Sequence, residues 1–308
     1  MSTHTMHRCP NCGGPLPPPS ATRTTRCTYC SVLLAPLGGA WKAAPADAPE
    51  EPLRDPHLPR FWLGGRRYAV LGRLARGDGG DVFLARRDSR LTEQVLVKVA
   101  KDDAGAARLE REQAVLDRLE TSTVQGAAHF TRLLPQRAGY GIARLGMTGR
   151  DGERRVALMR WRSGFVHTWE DVRAAYPAGV APEACVWLWK RVLELLGWVH
   201  RCGIEHADVT LSHLVVHARD HGVVIVGWAG ARPGSGAADL AASARAVLAV
   251  LKDASRAPTP LARLLEDHAR LAPGVATDAW ALKDELDAIA REVFGPPRFV
   301  PFAMPGWT

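Results

Sequence analysis

The chain has 308 residues, 46% of them hydrophobic and 23% charged, with a formal net charge of +8; this is ordinary for a soluble globular protein and suits one medium domain plus a small one. There is no run of 18 apolar residues, so no membrane span is expected, and the opening MSTHTMHRCP has no apolar core, so no secretory signal is expected and the expected location is cytoplasmic. The positive charge is mild and its arginines are scattered, the pattern of a solvated surface, which leaves nucleic acid the less favoured partner. Ala, Gly, Arg and Pro are abundant and Lys is scarce, the composition of a GC-rich bacterial genome.

Two Cys-x-x-Cys pairs open the chain, Cys9/Cys12 and Cys27/Cys30, with 14 residues between them. Each pair places two thiolates on one tight turn, and two such turns close a tetrahedral sulfur site, the arrangement of structural zinc. Gly13-Gly14 supplies the left-handed backbone a turn of this kind requires. Spacing and the missing secretory signal favour metal over disulfides. The module, residues 1–35, resembles a zinc ribbon. Its metal contributes most of its stability, because so short a chain buries little surface. A four-thiolate site is closed and therefore structural rather than catalytic. Interleaved basic and aromatic residues are few (Arg23, Arg26, Tyr29), which leans towards protein contact. Cys185 and Cys202 lie among apolar helix residues and read as core.

Residues 36–60 carry six prolines among Ala, Asp and Glu without apolar periodicity and read as a semi-extended linker. From Phe61 the pattern changes. Arg67 to Leu74 reads as a strand, Gly77-Asp78-Gly79-Gly80 as a turn, and Val82 to Ala85 as a second strand. Val95 to Ala100 is an apolar strand interrupted by Lys98, whose inward ammonium is costly unless paired. A helix over 106–119 carries Leu109, Val115, Leu116 and Leu119 on one stripe. Glu112 lies on that same face and is the natural partner for Lys98. Val156 to Met159 is a further buried-strand run.

Trp169 begins a short helix and Pro182 a long one over 182–200, with Cys185, Leu188, Val192, Leu195, Leu196 and Val199 on its buried face and Gly203 as its stop. The polar cluster His206-Ala207-Asp208-Val209-Thr210-Leu211-Ser212-His213 follows. Next come two apolar strands joined at Asp220-His221-Gly222, a hairpin signal. Helices over 237–251, 261–271 and 278–294 complete the chain. The Pro- and aromatic-rich tail is expected to dock on this region.

Over roughly residues 66–295 these features, in this order, resemble the protein kinase family. Residues 75–82 stand where the family has its glycine-rich phosphate loop, with Ala75 for the first glycine and Gly77 and Gly80 for the others. Lys98 and Glu112 match the strand lysine and helix glutamate. His206-Ala207-Asp208 matches the catalytic loop, and Asp239 the carboxylate that braces it. The resemblance implies an α+β, bilobal kinase-like fold: a small β-rich lobe with the hinge over 61–165, and a helical lobe with its tail over 166–308. It also implies a nucleotide site of Gly77, Gly79, Gly80, Val82, Lys98, Met159 as gatekeeper, and Arg160 and Trp161 in the hinge. Asp208 is implied as catalytic base or its vestige, beside Lys98 and Glu112.

The departures concern metal. His213 stands where the family has a magnesium-binding Asn, and Gly227-Trp228-Ala229 stands for Asp-Phe-Gly. Magnesium prefers hard oxygen ligands, imidazole is a poor substitute and glycine supplies none, so magnesium is not expected to bind well. Asp78 and Asp81 place negative charge where phosphates would lie. No Ala-Pro-Glu platform follows, since only about six residues separate residue 230 from the next helix. The expectation is therefore a zinc-ribbon pseudokinase with structural zinc, binding ATP with little metal dependence if at all, and acting through protein partners. An active atypical kinase that relocated its metal ligands to Asp78 or Asp81 is the alternative, and a nucleic-acid-associated adaptor the second.

Overall fold

Cysteine turns and short pairings organise the start of the chain. In the computed structural model, which describes residues 7–16, 25–30, 32–37, 40–43, 58–77, 79–89, 93–147, 150–162 and 164–304, β1 (His7–Arg8) and β2 (Pro15–Leu16) pair across the first turn. Strands β3 (Thr25–Arg26), β4 (Leu33–Leu37) and β5 (Ala40–Ala43) form a sheet about the second. Cys9, Leu16, Cys27, Leu34 and Trp41 make their small core, and Gly13 takes φ +74, the left-handed turn expected of it. Pairing runs past residue 35, where the linker was expected to begin: Pro36 pairs with Trp41, and the Trp41 ring is buried with the cysteines. Residues 44–57 of the expected linker, together with Arg23, Asp78 and residues 305–308, lie outside the described residues.

The chain divides into two units, one of residues 1–113, 136–164 and 306–308 and one of residues 114–135 and 165–305. The first unit continues with β6 (Arg60–Leu63), β7 (Arg66–Arg76), β8 (Gly80–Arg87) and β9 (Gln94–Ala100). Helix α1 (Asp103–Glu120) follows and passes into the second unit at residue 114, α2 (Ala127–Phe130) belongs to that second unit, and the chain is again in the first with β10 (Arg137–Met147) and β11 (Arg150–Arg160). The six strands from β6 to β11 close into an antiparallel barrel in the order β10-β11-β9-β8-β7-β6. Residues 129–134 form the end of α2 and a 3-10 turn rather than a strand. The strand lies further on, in β10, where Gly139, Gly141 and Gly146 interrupt the apolar alternation that reveals strands in sequence. The two-residue period of β9 sorts its side chains. Val95, Val97 and Val99 enter the barrel with Phe61, Tyr68, Phe83, Val156 and Leu158, while Leu96 and Lys98 take the other face. Leu109 of α1 packs there with Ala100 and Ala157.

The second unit contains β12 (His167–Thr168), α3 (Trp169–Ala175), α4 (Pro182–Arg201), β13 (Ile204–Glu205), β14 (Leu214–His217), β15 (Gly222–Ile225), β16 (Arg232–Pro233), α5 (Ala237–Leu251), α6 (Thr259–Ala269) and α7 (Ala279–Phe294). Pro at the first turn starts α4, and twelve of its residues are buried. The hairpin of β14 and β15 turns at His221, whose φ is +51. The tail docks as expected: Phe302 stacks on Tyr176 at 5.5 Å between centroids, and Phe302 and Met304 are buried. Cys185 is buried, whereas Cys202 is half-buried with its sulfur 3.3 Å from Ser122 Oγ. Among the described residues no helix is long and apolar enough to cross a membrane.

Inside this unit the indole Nε1 of Trp189 donates to Ser243 Oγ at 2.9 Å, and that hydroxyl donates to the Leu240 carbonyl at 2.7 Å. Both side chains are wholly buried. Ser243→Ala leaves the indole N–H without an acceptor and is expected to cost about 1–3 kcal/mol. Trp189→Phe removes the donor as well, so in chemical denaturation the double variant should lose measurably less than the sum of the two single changes.

Candidate functional site

In the first unit, Lys98 Nζ reaches both carboxylate oxygens of Glu112, at 2.5 and 2.7 Å. Glu112 is 1% exposed and Lys98 about a fifth. The pairing follows from two periodicities. Lys98 shares the outer face of the barrel with Val82 and Ala157, its cross-strand partners on β8 and β11, and α1 lays its Leu109 and Glu112 stripe on that face. A carboxylate so deeply buried must keep its cation, and the short connection from Ala100 to Asp103 leaves α1 little slack.

The glycine turn is tied to its own unit. Gly77 N–H donates to Gly80 O at 2.9 Å, and Gly79 O accepts from Lys101 N at 3.2 Å. A Cβ on Gly105, in the first turn of α1, would overlap Gly79 O. These glycines therefore serve close backbone packing between loop, strand and helix. Asp81 corrects an expectation. It is 2% exposed, with its carboxylate 3.6 Å from Lys101 Nζ and 4.0 Å from Arg73 Nη1. As the residue before Val82 it faces the opposite way from Lys98, so it neither burdens a phosphate position beside Lys98 with charge nor supplies a metal ligand there. Met159 is buried opposite Leu96. In the segment expected to be the hinge, Arg160 N–H is held by Gln136 O at 2.7 Å and Trp161 N–H by Gln94 O at 3.3 Å, so neither donor is free to read a base.

The second unit assembles the loop residues His206, Ala207 and Asp208 around Asp239, in the first turn of α5. Its Oδ2 accepts from His206 N at 2.7 Å and from His200 Nε2 at 3.0 Å, and its Oδ1 from Ala207 N at 2.8 Å. Burial would raise its pKa, but the hydrogen bonds from His200, His206 and Ala207 outweigh burial and hold the carboxyl below the usual range. The braced loop contains Ala207 at φ +60, a conformation that costs a non-glycine residue about 1–2 kcal/mol. A hydrogen bond to a charged group returns about 1.5–3 kcal/mol, enough to keep it.

His206 is wholly buried. Its Nδ1 accepts from Asp208 N at 3.3 Å and its Nε2 donates to Val226 O at 3.1 Å, which fixes the neutral tautomer. Burial lowers its pKa to about 4. Trp228, also wholly buried, stands edge-on to His206 at 4.5 Å and donates to Ile225 O at 2.9 Å. Asp208 is half-exposed beside His213.

His213 Nδ1 donates to the Asp208 carbonyl at 2.8 Å, which sets the orientation of the ring. The ring lies against Gly227: a Cβ built there would stand 2.6 Å from both Cδ2 and Nε2 of His213, and Gly227 itself has φ +84. The imidazole thus fills the space into which a side chain at 227 would project. Beyond the turn at Trp228, residues 231–236 connect directly to α5. Glu205 fastens them through Arg232 Nε at 2.7 Å and Gly236 N at 3.3 Å.

The four ribbon cysteines form the metal candidate, with sulfurs all within 4.8 Å of one another. Cys9 and Cys30 sulfurs are 3.7 Å apart, Cys12 and Cys27 3.5 Å, against about 3.8 Å across a tetrahedron with Zn–S bonds of ~2.3 Å. The knuckles match: Asn11 N–H donates to Cys9 Sγ at 3.4 Å, and Tyr29 N–H to Cys27 Sγ at 3.5 Å. Hydrogen bonds from Cys12 and Cys27 pull the Cys9 thiol well down, while those with Cys27 and Cys9 push Cys12 up. Four sulfurs so placed ionise together only around a cation. The residues fit a metal ion such as zinc. Sequence reasoning passed over Lys101 and the knuckle residue Thr28, and took Tyr29 only as one of a few aromatics beside arginines and Trp228 only as part of the Gly-Trp-Ala segment. For Thr28 and Tyr29 a signal existed, since they lie between Cys27 and Cys30.

The buried histidine makes the unit sensitive to acid. The unfolded chain protonates His206 below about pH 6.5, the folded chain only near 4, so stability falls as pH drops through that window. Asp239 acts lower, adding stability that is lost as pH falls through its depressed folded value. Denaturation at pH 7 and pH 5 should differ by about 2 kcal/mol, and His206→Gln should abolish most of that difference.

No family model matches the chain, and no curated protein matches it in sequence. Solved structures do match it in fold. A structure of vaccinia related kinase 3 superposes with a TM-score of 0.56 at 14% identity, over 78% of this chain and 92% of that one. The BubR1 kinase domain superposes with a TM-score of 0.52 at 10% identity, over 77% and 84%. The chain has a protein-kinase-like fold, with a four-cysteine cluster near its N-terminus able to hold a metal ion.

Proposed function

We propose that this chain is a pseudokinase bearing a zinc ribbon, a kinase-like body that acts as scaffold or allosteric partner in a bacterial signalling assembly through protein contacts. The observation that carries the reading is His213 against Gly227, with the imidazole 2.6 Å from where a side chain at 227 would begin. Phosphoryl transfer depends almost wholly on positioning and charge neutralisation by metal, and at these two positions the chain offers an imidazole and no side chain. The short link over 231–236, tied down by Glu205, leaves no length for a substrate platform. The paired Lys98 and Glu112 favour one further property, nucleotide binding with little dependence on divalent metal. They also favour the second reading, an active atypical kinase. Asp81, buried and paired away from Lys98, does not supply its metal ligand, and Asp78 lies outside the described residues.

Autophosphorylation and generic-substrate phosphorylation, read by mass spectrometry with Asp208→Ala as control, test the proposal. No stoichiometric labelling that depends on Asp208 and on metal is expected, and any thermal shift with ATP should be the same with and without Mg²⁺ or Mn²⁺. Such labelling would establish the second reading. Gly227→Asp alone should destabilise the protein through its clash with the imidazole. Combined with His213→Asn it should fold and gain metal-dependent ATP binding.

A further inference from the structure

The second cysteine knuckle reaches beyond its own module, and both residues between its cysteines contact the barrel. Thr28 Oγ1 accepts from Gln94 Nε2 at 2.8 Å. The Tyr29 ring stands edge-on to Trp161 with centroids 5.3 Å apart and planes at 70°, the attractive geometry for two aromatic rings. Gln94 begins β9 and Trp161 follows β11, and the two are joined by Trp161 N–H to Gln94 O at 3.3 Å. Tyr29 also ties the ribbon together. Its ring lies so close over Gly14 of the first knuckle that a Cβ there would overlap it, and burial pushes its hydroxyl pKa up. The positions of Thr28 and Tyr29 are thus set by the flanking sulfurs, Cys27 and Cys30, and the sulfurs by what they bind.

We propose that the metal-loaded knuckle is a clamp on the strand ends that lead into the hinge: metal at the four cysteines fixes Thr28 and Tyr29, which hold Gln94 and Trp161, and loss of the metal releases them. The ribbon's partner at this face is its own chain, and Tyr29 is engaged there rather than offered to nucleic acid. Coupling of this kind is reciprocal. Whatever the metal does to order Trp161, Trp161 does to retain the metal. One aromatic pair and one hydrogen bond together support a change of roughly tenfold in metal release. The inference stands apart from whether the chain transfers phosphate, because it concerns only the ribbon and the barrel.

The test uses the full chain loaded with one zinc, with two readouts. In hydrogen–deuterium exchange, stripping the metal with a chelator should raise exchange over residues 94–97 and 159–162 and leave β14 and β15 unchanged. With a chelating dye, Trp161→Ala should release zinc about tenfold faster than the wild type. Gln94→Ala, a milder change that removes only the bond to Thr28, should raise the rate in the same direction and keeps the test available if Trp161→Ala does not fold. Tyr29→Ala should still bind one zinc yet show the exchange of the stripped protein at 159–162. Unchanged exchange on stripping, or zinc release at the wild-type rate from the barrel variants, would overturn the clamp.

Discussion

One buried carboxylate holds the second unit's polar centre together. Asp239 takes three hydrogen bonds from His200, His206 and Ala207, and each partner positions something else. His200 lies in the last turn of α4, His206 carries the Asp208 backbone on one ring nitrogen and Val226 on the other, and Ala207 keeps a backbone conformation it would not adopt alone. A buried charge is tolerable only when its surroundings are complete, so the loop, the helix end and the residue after β15 are specified together. The contacts that set the shape of this loop all come from the chain's own side chains and backbone.

The first unit solves the same problem with an ion pair. Glu112 is nearly without solvent, and Lys98 reaches it from the strand face opposite the barrel core. Replacing such a pair takes two coordinated changes, whereas removing one member leaves a buried charge. Persistence of the pair is therefore a statement about packing between β9 and α1 as much as about nucleotide. The glycine turn points the same way, since Gly79 and Gly105 are pressed together by backbone.

Much of this was legible from residue order. The stripe on α4 gave its buried face, the residues of α5 read to within their observed bounds, and the shared face of Lys98 and Glu112 came from counting twos along the strand and threes and fours along the helix. The same count along β8 places Asp81 away from Val82 and Lys98, and the acidic look of the sequence around the turn obscured it. Strand β10 hid behind its glycines, which pair as strand because Ala143 and Leu145 fill the barrel between them. The β4–β5 hairpin hid behind Pro36, tolerated because Trp41 opposite it belongs to the cysteine core. That His213 and Gly227 share one volume was beyond the sequence, because the contact joins separate strand ends and depends on a ring orientation set by the Asp208 carbonyl.

That shared volume has an evolutionary consequence. A histidine leaning on a glycine makes the two positions depend on each other, so a change at one limits what the other can accept. A carboxylate arriving first at 227 meets the ring, and an amide arriving first at 213 opens a gap beside a residue with nothing to offer. The pair works as a ratchet: while the imidazole sits over the glycine, a side chain can enter at 227 only after the ring has gone.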